Sequence, residues 1–150
     1  MSIQVTAEVE VAADPDTAFR AFVERVGEWW HVDGPYWNDA QRRVCMRMDP
    51  GPAGGLVEVY EAATGQGFEA GRIVGWQPGR RLAFLWRQAN WQPDESTEVE
   101  LRFEPSGSGT RVALEHAGWE RVTSDPAASE GYQEGWEDLL GWYAEVASKG

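Results

Sequence analysis

The chain is poor in cysteine and in positive charge, and it has no long hydrophobic run. One cysteine among 150 residues, Cys45, cannot close an internal disulfide, so a disulfide scaffold is excluded. Nowhere do 18 consecutive apolar residues occur, which removes a membrane-inserted helix from consideration. Thirteen Lys and Arg against twenty-five Asp and Glu leave a net charge of −12. Sequence-independent binding to nucleic acid or to anionic lipid needs positive charge to release counterions, so neither partner is expected. Arg42, Arg43 and Arg47 cluster, as do Arg80, Arg81 and Arg87, but no run of five basic residues occurs. The opening Met1-Ser2-Ile3-Gln4-Val5 has neither a basic leader nor an apolar stretch, and the expected location is cytoplasmic.

Chemical motifs are equally sparse. His31, His116 and Cys45 lie far apart and lack the paired spacings of a zinc site, so no metal and no other cofactor is expected. Gly51-Pro52-Ala53-Gly54-Gly55 lacks the Gly-Lys-Ser/Thr ending that reaches phosphates and reads as a turn. No glycine-flanked serine elbow is present. Cys45 shares a strand face with Arg43 and Arg47, and its outward register favours an inert edge position. What the chain does have is aromatic area: nine Trp, four Tyr and five Phe make up 12% of it.

At 150 residues and 42% apolar content, one domain spanning 1–150 is expected, able to bury roughly 68–70% of its unfolded surface. Residues 3–11 alternate with Ile3, Val5, Ala7, Val9 and Val11 on one face, a half-buried strand. Asp14-Pro15 is a cap followed by a first-turn proline, and Ala18, Phe19, Phe22, Val23 and Val26 continue at helical spacing until Gly27 interrupts. Alternation returns over 42–48, with Val44, Met46 and Met48 on one side. Strands are then expected over 56–61, 68–76 and 82–88, broken by glycine and proline turns. Two strands, 97–104 and 110–116, joined at Ser106-Gly107-Ser108-Gly109, form a hairpin. Its inner face carries Val99, Leu101, Phe103, Val112, Leu114 and His116, and its outer face carries Glu98, Glu100, Arg102 and Glu104. Ser124-Asp125-Pro126 repeats the cap-and-proline signal. From there to Ser148, Tyr132, Trp136, Leu139, Leu140, Tyr143, Val146 and Ala147 recur at intervals of three and four, the pattern of a helix of roughly 34 Å.

The order of elements is α+β: a curved antiparallel sheet of about six or seven strands, two short helices after the first strand, and one long C-terminal helix. A sheet with one wet face must cover the other, and the last helix is the longest apolar element available. This arrangement resembles the helix-grip, START/Bet v 1-like (SRPBCC) superfamily. Within it, the chain is similar to homologues of the C-terminal domain of the heat-shock-protein ATPase activator. The similarity rests on Ala13-Asp14-Pro15, Gly27-Glu28-Trp29-Trp30, Gly54-Gly55 with Glu61, and Gly71-Arg72-Ile73-Val74-Gly75-Trp76-Gln77-Pro78. It continues through Arg81-Leu82-Ala83-Phe84-Leu85-Trp86, Leu114-Glu115-His116-Ala117-Gly118-Trp119 and Gly135-Trp136. The superfamily implies lipid carriers, hormone sensors, polyketide cyclases and co-chaperone domains on one scaffold.

Three functions follow. The first is binding of a small hydrophobic, aromatic molecule in a cavity between sheet and C-terminal helix. Its expected lining is Trp30, Trp37, Phe84, Trp86, Leu101, Phe103, Leu114, His116, Tyr132, Trp136, Leu140 and Tyr143. The bland alternative for the same residues is a filled core, and for His116 a structural histidine without a catalytic role. The second is a co-chaperone-like module meeting a protein partner, or a second copy in a homodimer, through the acidic surface; the activator's further N-terminal domain is not expected here. The third is a cyclase or hydrolase with His116 or Glu61 as acid/base and Tyr143 polarising a carbonyl.

Overall fold

The computed structural model describes residues 3–149; Met1 and Ser2, part of the N-terminal reading above, lie outside them. Seven strands pair antiparallel throughout in the order β1-β7-β6-β5-β4-β3-β2: β1 (Val5–Val11), β2 (Cys45–Met48), β3 (Gly55–Val59), β4 (Gly67–Gln77), β5 (Arg81–Trp86), β6 (Thr97–Ser106) and β7 (Gly109–Ala117). Alternation and register together stack the inner rows. Val5, His116, Val99 and Phe84 lie side by side across four strands, and Ala7, Leu114, Leu101 and Leu82 form the next row. The β6–β7 hairpin closes with Ser106 opposite Gly109, and Gly107 supplies the positive φ of 60° that a two-residue turn needs at its first central position. On the outer face Arg81 and Arg102 pair with Glu100.

Three helices cover the inner face: α1 (Pro15–Glu24), α2 (Val26–Trp29) and α3 (Tyr132–Ser148). The Asp14 carboxylate caps α1 by accepting from Thr17 N at 2.9 Å. The covering work is shared, since α3 runs along β1 while α1 lies over β6, β7 and β2. Trp136, Leu139, Leu140, Tyr143, Ala144 and Ala147 form the buried stripe of α3. The Tyr143 hydroxyl donates to the Ala18 carbonyl at 2.6 Å and so bolts α3 to α1.

Three expectations are corrected. Gly27 lies inside α2 and ends nothing; the break falls at Arg25, the shared cap of α1 and α2. The second strand begins at Cys45, three residues later than the alternation suggested, and Val44 is exposed before it. The long helix begins at Tyr132 and not after Ser124-Asp125-Pro126, so its 17 residues span about 26 Å. The reason is that Ser124 is already engaged: its hydroxyl and its N–H both donate to the Glu95 carboxylate. Residues 119–131 instead make a 3₁₀ turn and a series of turns that reach α3 through Gly131 at φ 86°.

Because Leu101 is fully buried in the central rows, Leu101→Ala should cost ~2–5 kcal/mol in a urea titration, through lost burial and the cavity left behind. Val74, extruded at a β4 bulge and 55% exposed, should tolerate the change to Ala within ~0.5 kcal/mol. Equal losses at the two positions would contradict this assignment of the core.

Candidate functional site

An aromatic cleft of about 260 Å³ opens where the end of β5, the segment after α2 and the first turn of α3 converge. Trp30, Trp37, Trp86, Tyr132 and Trp136 line it, together with Tyr36, Gln88 and Leu139. Its volume falls a little under the ~300 Å³ at which pockets for drug-sized ligands begin. A wider depression of about 570 Å³ lies over β1 and β7, but Glu8, Glu100, Arg102, Glu115 and Glu137 line it and no aromatic ring does.

Three indoles frame the cleft. Trp30 and Trp86 lie 27° from parallel with centroids 6.2 Å apart, and Trp136 stands edge-on to Trp30 at 6.4 Å. Each is fixed by its own N–H: Trp30 donates to the Tyr36 carbonyl at 3.0 Å, Trp86 to the Tyr132 hydroxyl at 2.8 Å, and Trp136 to His116 Nδ1 at 3.0 Å. The wall formed by residues 30–39 is held from two sides. From the sheet, the buried Glu58 carboxylate accepts from Asn38 N, Asp39 N and the Tyr60 hydroxyl at 2.9, 2.8 and 2.6 Å. From α3, Asp138 accepts from the Tyr36 hydroxyl at 2.6 Å, and Trp142 stacks on His31 with centroids 3.9 Å apart. That bond to Asp138 pushes the Tyr36 phenol up to about 12, so it stays a donor. Desolvation, and then Glu58, raise Tyr60 in the same sense.

His116 is the hub beneath the cleft. Trp136 donates to Nδ1, so Nδ1 carries no proton; Nε2 then bears it and donates to Thr97 Oγ1 at 2.6 Å. The Thr97 hydroxyl in turn donates to the Trp86 carbonyl at 3.2 Å. The imidazole is completely buried, and desolvation pushes its pKa down to about 3. With both nitrogens engaged, it can take up or release a proton only by breaking this chain.

Of the twelve residues expected to line a cavity, five line the cleft: Trp30, Trp37, Trp86, Tyr132 and Trp136. Phe84, Leu101, Phe103, Leu114, Leu140 and Tyr143 are packed in the core beside it, and His116 sits behind Trp136. Glu61 is exposed and bonded to Thr64, and Tyr143 reaches Ala18, so neither meets His116 at the cleft. Sequence reasoning did not place Tyr36, Glu58, Gln88 or Thr97 at the site, although Glu58 stands out in the sequence as one of a carboxylate pair with Glu61. Three of them carried a signal: Thr97 and Gln88 continue the inward alternation of Val99 and Trp86, and Glu58 falls between Leu56 and Tyr60, where an acid faces inward. Among the described residues, no group of three or more His, Cys, Asp or Glu is placed to hold a metal ion, and no helix is long and apolar enough to cross a membrane.

A curled antiparallel sheet gripping a C-terminal helix, with an aromatic cleft at one end, defines a helix-grip protein of the SRPBCC, or Bet v 1-like, kind. Residues 12–142 match the family Activator of Hsp90 ATPase homolog 1-like protein, and the chain belongs to that family. No curated protein matches it. Among solved structures it is similar to an anthrahydroquino-γ-pyrone synthase, Txn09, at 30% identity and a TM-score of 0.64, with 97% of each chain covered. It is also similar to the self-sacrificing resistance protein CalC from Micromonospora echinospora, at 27% identity and 0.66, covering 97% of this chain and 94% of that one. Protein NE0264 from Nitrosomonas europaea shares the fold at 18% identity and 0.69, covering 98% and 95%.

The buried imidazole makes a pH prediction. An exposed histidine titrates near 6.5 and His116 near 3, so as pH falls the unfolded chain binds the proton first. The stability linked to His116 is therefore complete above pH 6.5 and is lost progressively between 6.5 and 3. Between pH 7 and 5 the wild type should lose about 2 kcal/mol more than His116→Gln, whose amide can still bond Trp136 and Thr97 without titrating. Urea unfolding at the two pH values checks this, and identical losses in the two proteins would contradict it.

Proposed function

We propose that this protein binds a small, flat, hydrophobic aromatic molecule in the cleft at the N-terminal end of α3. The observation that carries this reading is the cleft itself: indoles and phenols whose orientations are fixed by hydrogen bonds to the protein, around a space that a fused-ring compound fills. Fixed walls lower the ordering cost of binding. The reading is supported by membership of a family built on a ligand-binding scaffold and by the likeness to Txn09 and CalC. The likeness to a synthase favours a second reading, in which the same cleft does chemistry on its guest; a new product released from the bound compound separates the two.

The test is a panel of fused-ring aromatic compounds read by intrinsic tryptophan fluorescence. Compounds of two or three rings should quench the emission saturably. Trp37→Ala, which removes a half-buried wall and leaves the sheet untouched, should weaken their binding by about tenfold or more while shifting the melting temperature little. An unchanged affinity in that variant would place the compound elsewhere.

A further inference from the structure

The cleft combines a large aromatic lining with charge of one sign. Four indoles and two phenols line it, and the one charged side chain among its lining residues is the exposed carboxylate of Glu130. Among the described residues, no Lys, Arg or His lines it. His116, beneath Trp136, has both nitrogens bonded, and burial holds it neutral. The basic side chains that neighbour the lining in sequence are committed elsewhere. His31 stacks on Trp142, Arg42 pairs with Asp39 at 2.7 Å, and Arg87 lies over the Phe68 ring at 5.1 Å. Further carboxylates stand behind the wall: Glu58 under Asn38 and Asp39, and Asp138 at the Tyr36 hydroxyl. The net charge of −12 extends the same sign over the chain.

The indoles reinforce that sign. Each carries partial negative charge on its ring faces and partial positive charge at its N–H edge. All four N–H edges are turned onto acceptors of the protein itself: the Tyr36 and His31 carbonyls for Trp30 and Trp37, the Tyr132 hydroxyl for Trp86, and His116 Nδ1 for Trp136. A guest therefore meets ring surface and a carboxylate, and an anion finds no indole donor free. Aromatic rings attract a cation that comes within about 6 Å of their centroids. A charge spread over fused rings is also weakly hydrated, as guanidinium is beside ammonium, so it enters such a site at a lower desolvation cost. Resting on the binding reading above, we propose that the cleft selects flat aromatic cations, of the N-alkylated heteroaromatic kind, over neutral or anionic compounds of the same shape. The charged rings pack against the indoles, and Glu130 at the rim supplies the counter-charge.

The experiment compares three bicyclic probes by calorimetry at low ionic strength: 1-methylquinolinium, its neutral isostere 1-methylnaphthalene, and the anion 1-naphthoate. They are measured on the wild type, on Glu130→Lys and on Trp37→Ala. The wild type should bind the quinolinium about 3- to 30-fold more tightly than the naphthalene, the range of a cation against aromatic rings, and the naphthoate most weakly. In Glu130→Lys the ratio of quinolinium to naphthalene affinity should fall about fivefold or more, because a cation replaces the rim carboxylate. Trp37→Ala should weaken the quinolinium and the naphthalene alike, which separates binding in the cleft from adsorption of a cation to the acidic surface. Naphthalene binding as tightly as quinolinium to the wild type, a ratio unmoved in Glu130→Lys, or quinolinium affinity unmoved in Trp37→Ala while that of naphthalene falls overturns this inference and leaves the cleft as a site for neutral rings. If no probe binds the wild type, the binding reading falls and this inference falls with it.

Discussion

One neutral imidazole joins the helix that closes the molecule to the sheet that supports it. The chain of bonds runs from Trp136 through His116 and Thr97 to the Trp86 carbonyl, and from the Trp86 indole to the Tyr132 hydroxyl, which returns to α3. Every inner member is buried, where an unpaired donor or acceptor costs ~1–3 kcal/mol. That cost fixes the tautomer of His116 and, with it, the orientation of two cleft walls. The same engagement occupies both nitrogens of His116, the structural arrangement that the sequence reading set beside a pocket role, and its effect reaches the cleft through Trp136.

The space under α3 and the space at its N-terminal end have opposite fates. Along the middle of the helix, Phe84, Leu101, Phe103, Leu114, Leu140 and Tyr143 are buried in one core cluster with the apolar residues of α1 and the inner rows of the sheet. At the helix end the sheet curls away and the segment after α2 spans the gap. That segment is irregular backbone, and it keeps its shape because Glu58, Asp138 and Trp142 hold it from outside the cleft. The acid buried beneath the wall fixes its backbone by accepting from Asn38 N and Asp39 N.

Much of the fold was legible because the inner rows obey period two and the helices obey period 3.6 in stretches long enough to be unambiguous. The β6–β7 hairpin and the apolar stripe of α3 are the clearest cases. The start of α3 was misread because a local cap signal, Ser124-Asp125-Pro126, competes with a distant partner: Glu95, 29 residues away from Ser124, takes the hydroxyl that a cap would use. The cleft was half legible. Its indoles stand out by number, but which aromatics face an opening and which face one another depends on how far the sheet curls, and no spacing rule reports that. Gln88 and Thr97 were within reach, as polar residues on an inward face. Tyr36 was not, because its place follows from a loop closing onto Asp138 across 102 residues.

The central claim, that four of the nine indoles share one ligand-sized opening while the rest are structural, can be read directly from the indole N–H signals in a 1H–15N spectrum. On titration with a tricyclic aromatic compound, Trp30, Trp37, Trp86 and Trp136 should shift together with one dissociation constant. Trp76, packed against Phe19 near the β4–β5 turn, should stay in place. Shifts centred on Trp76, or spread evenly over all nine, would contradict the account.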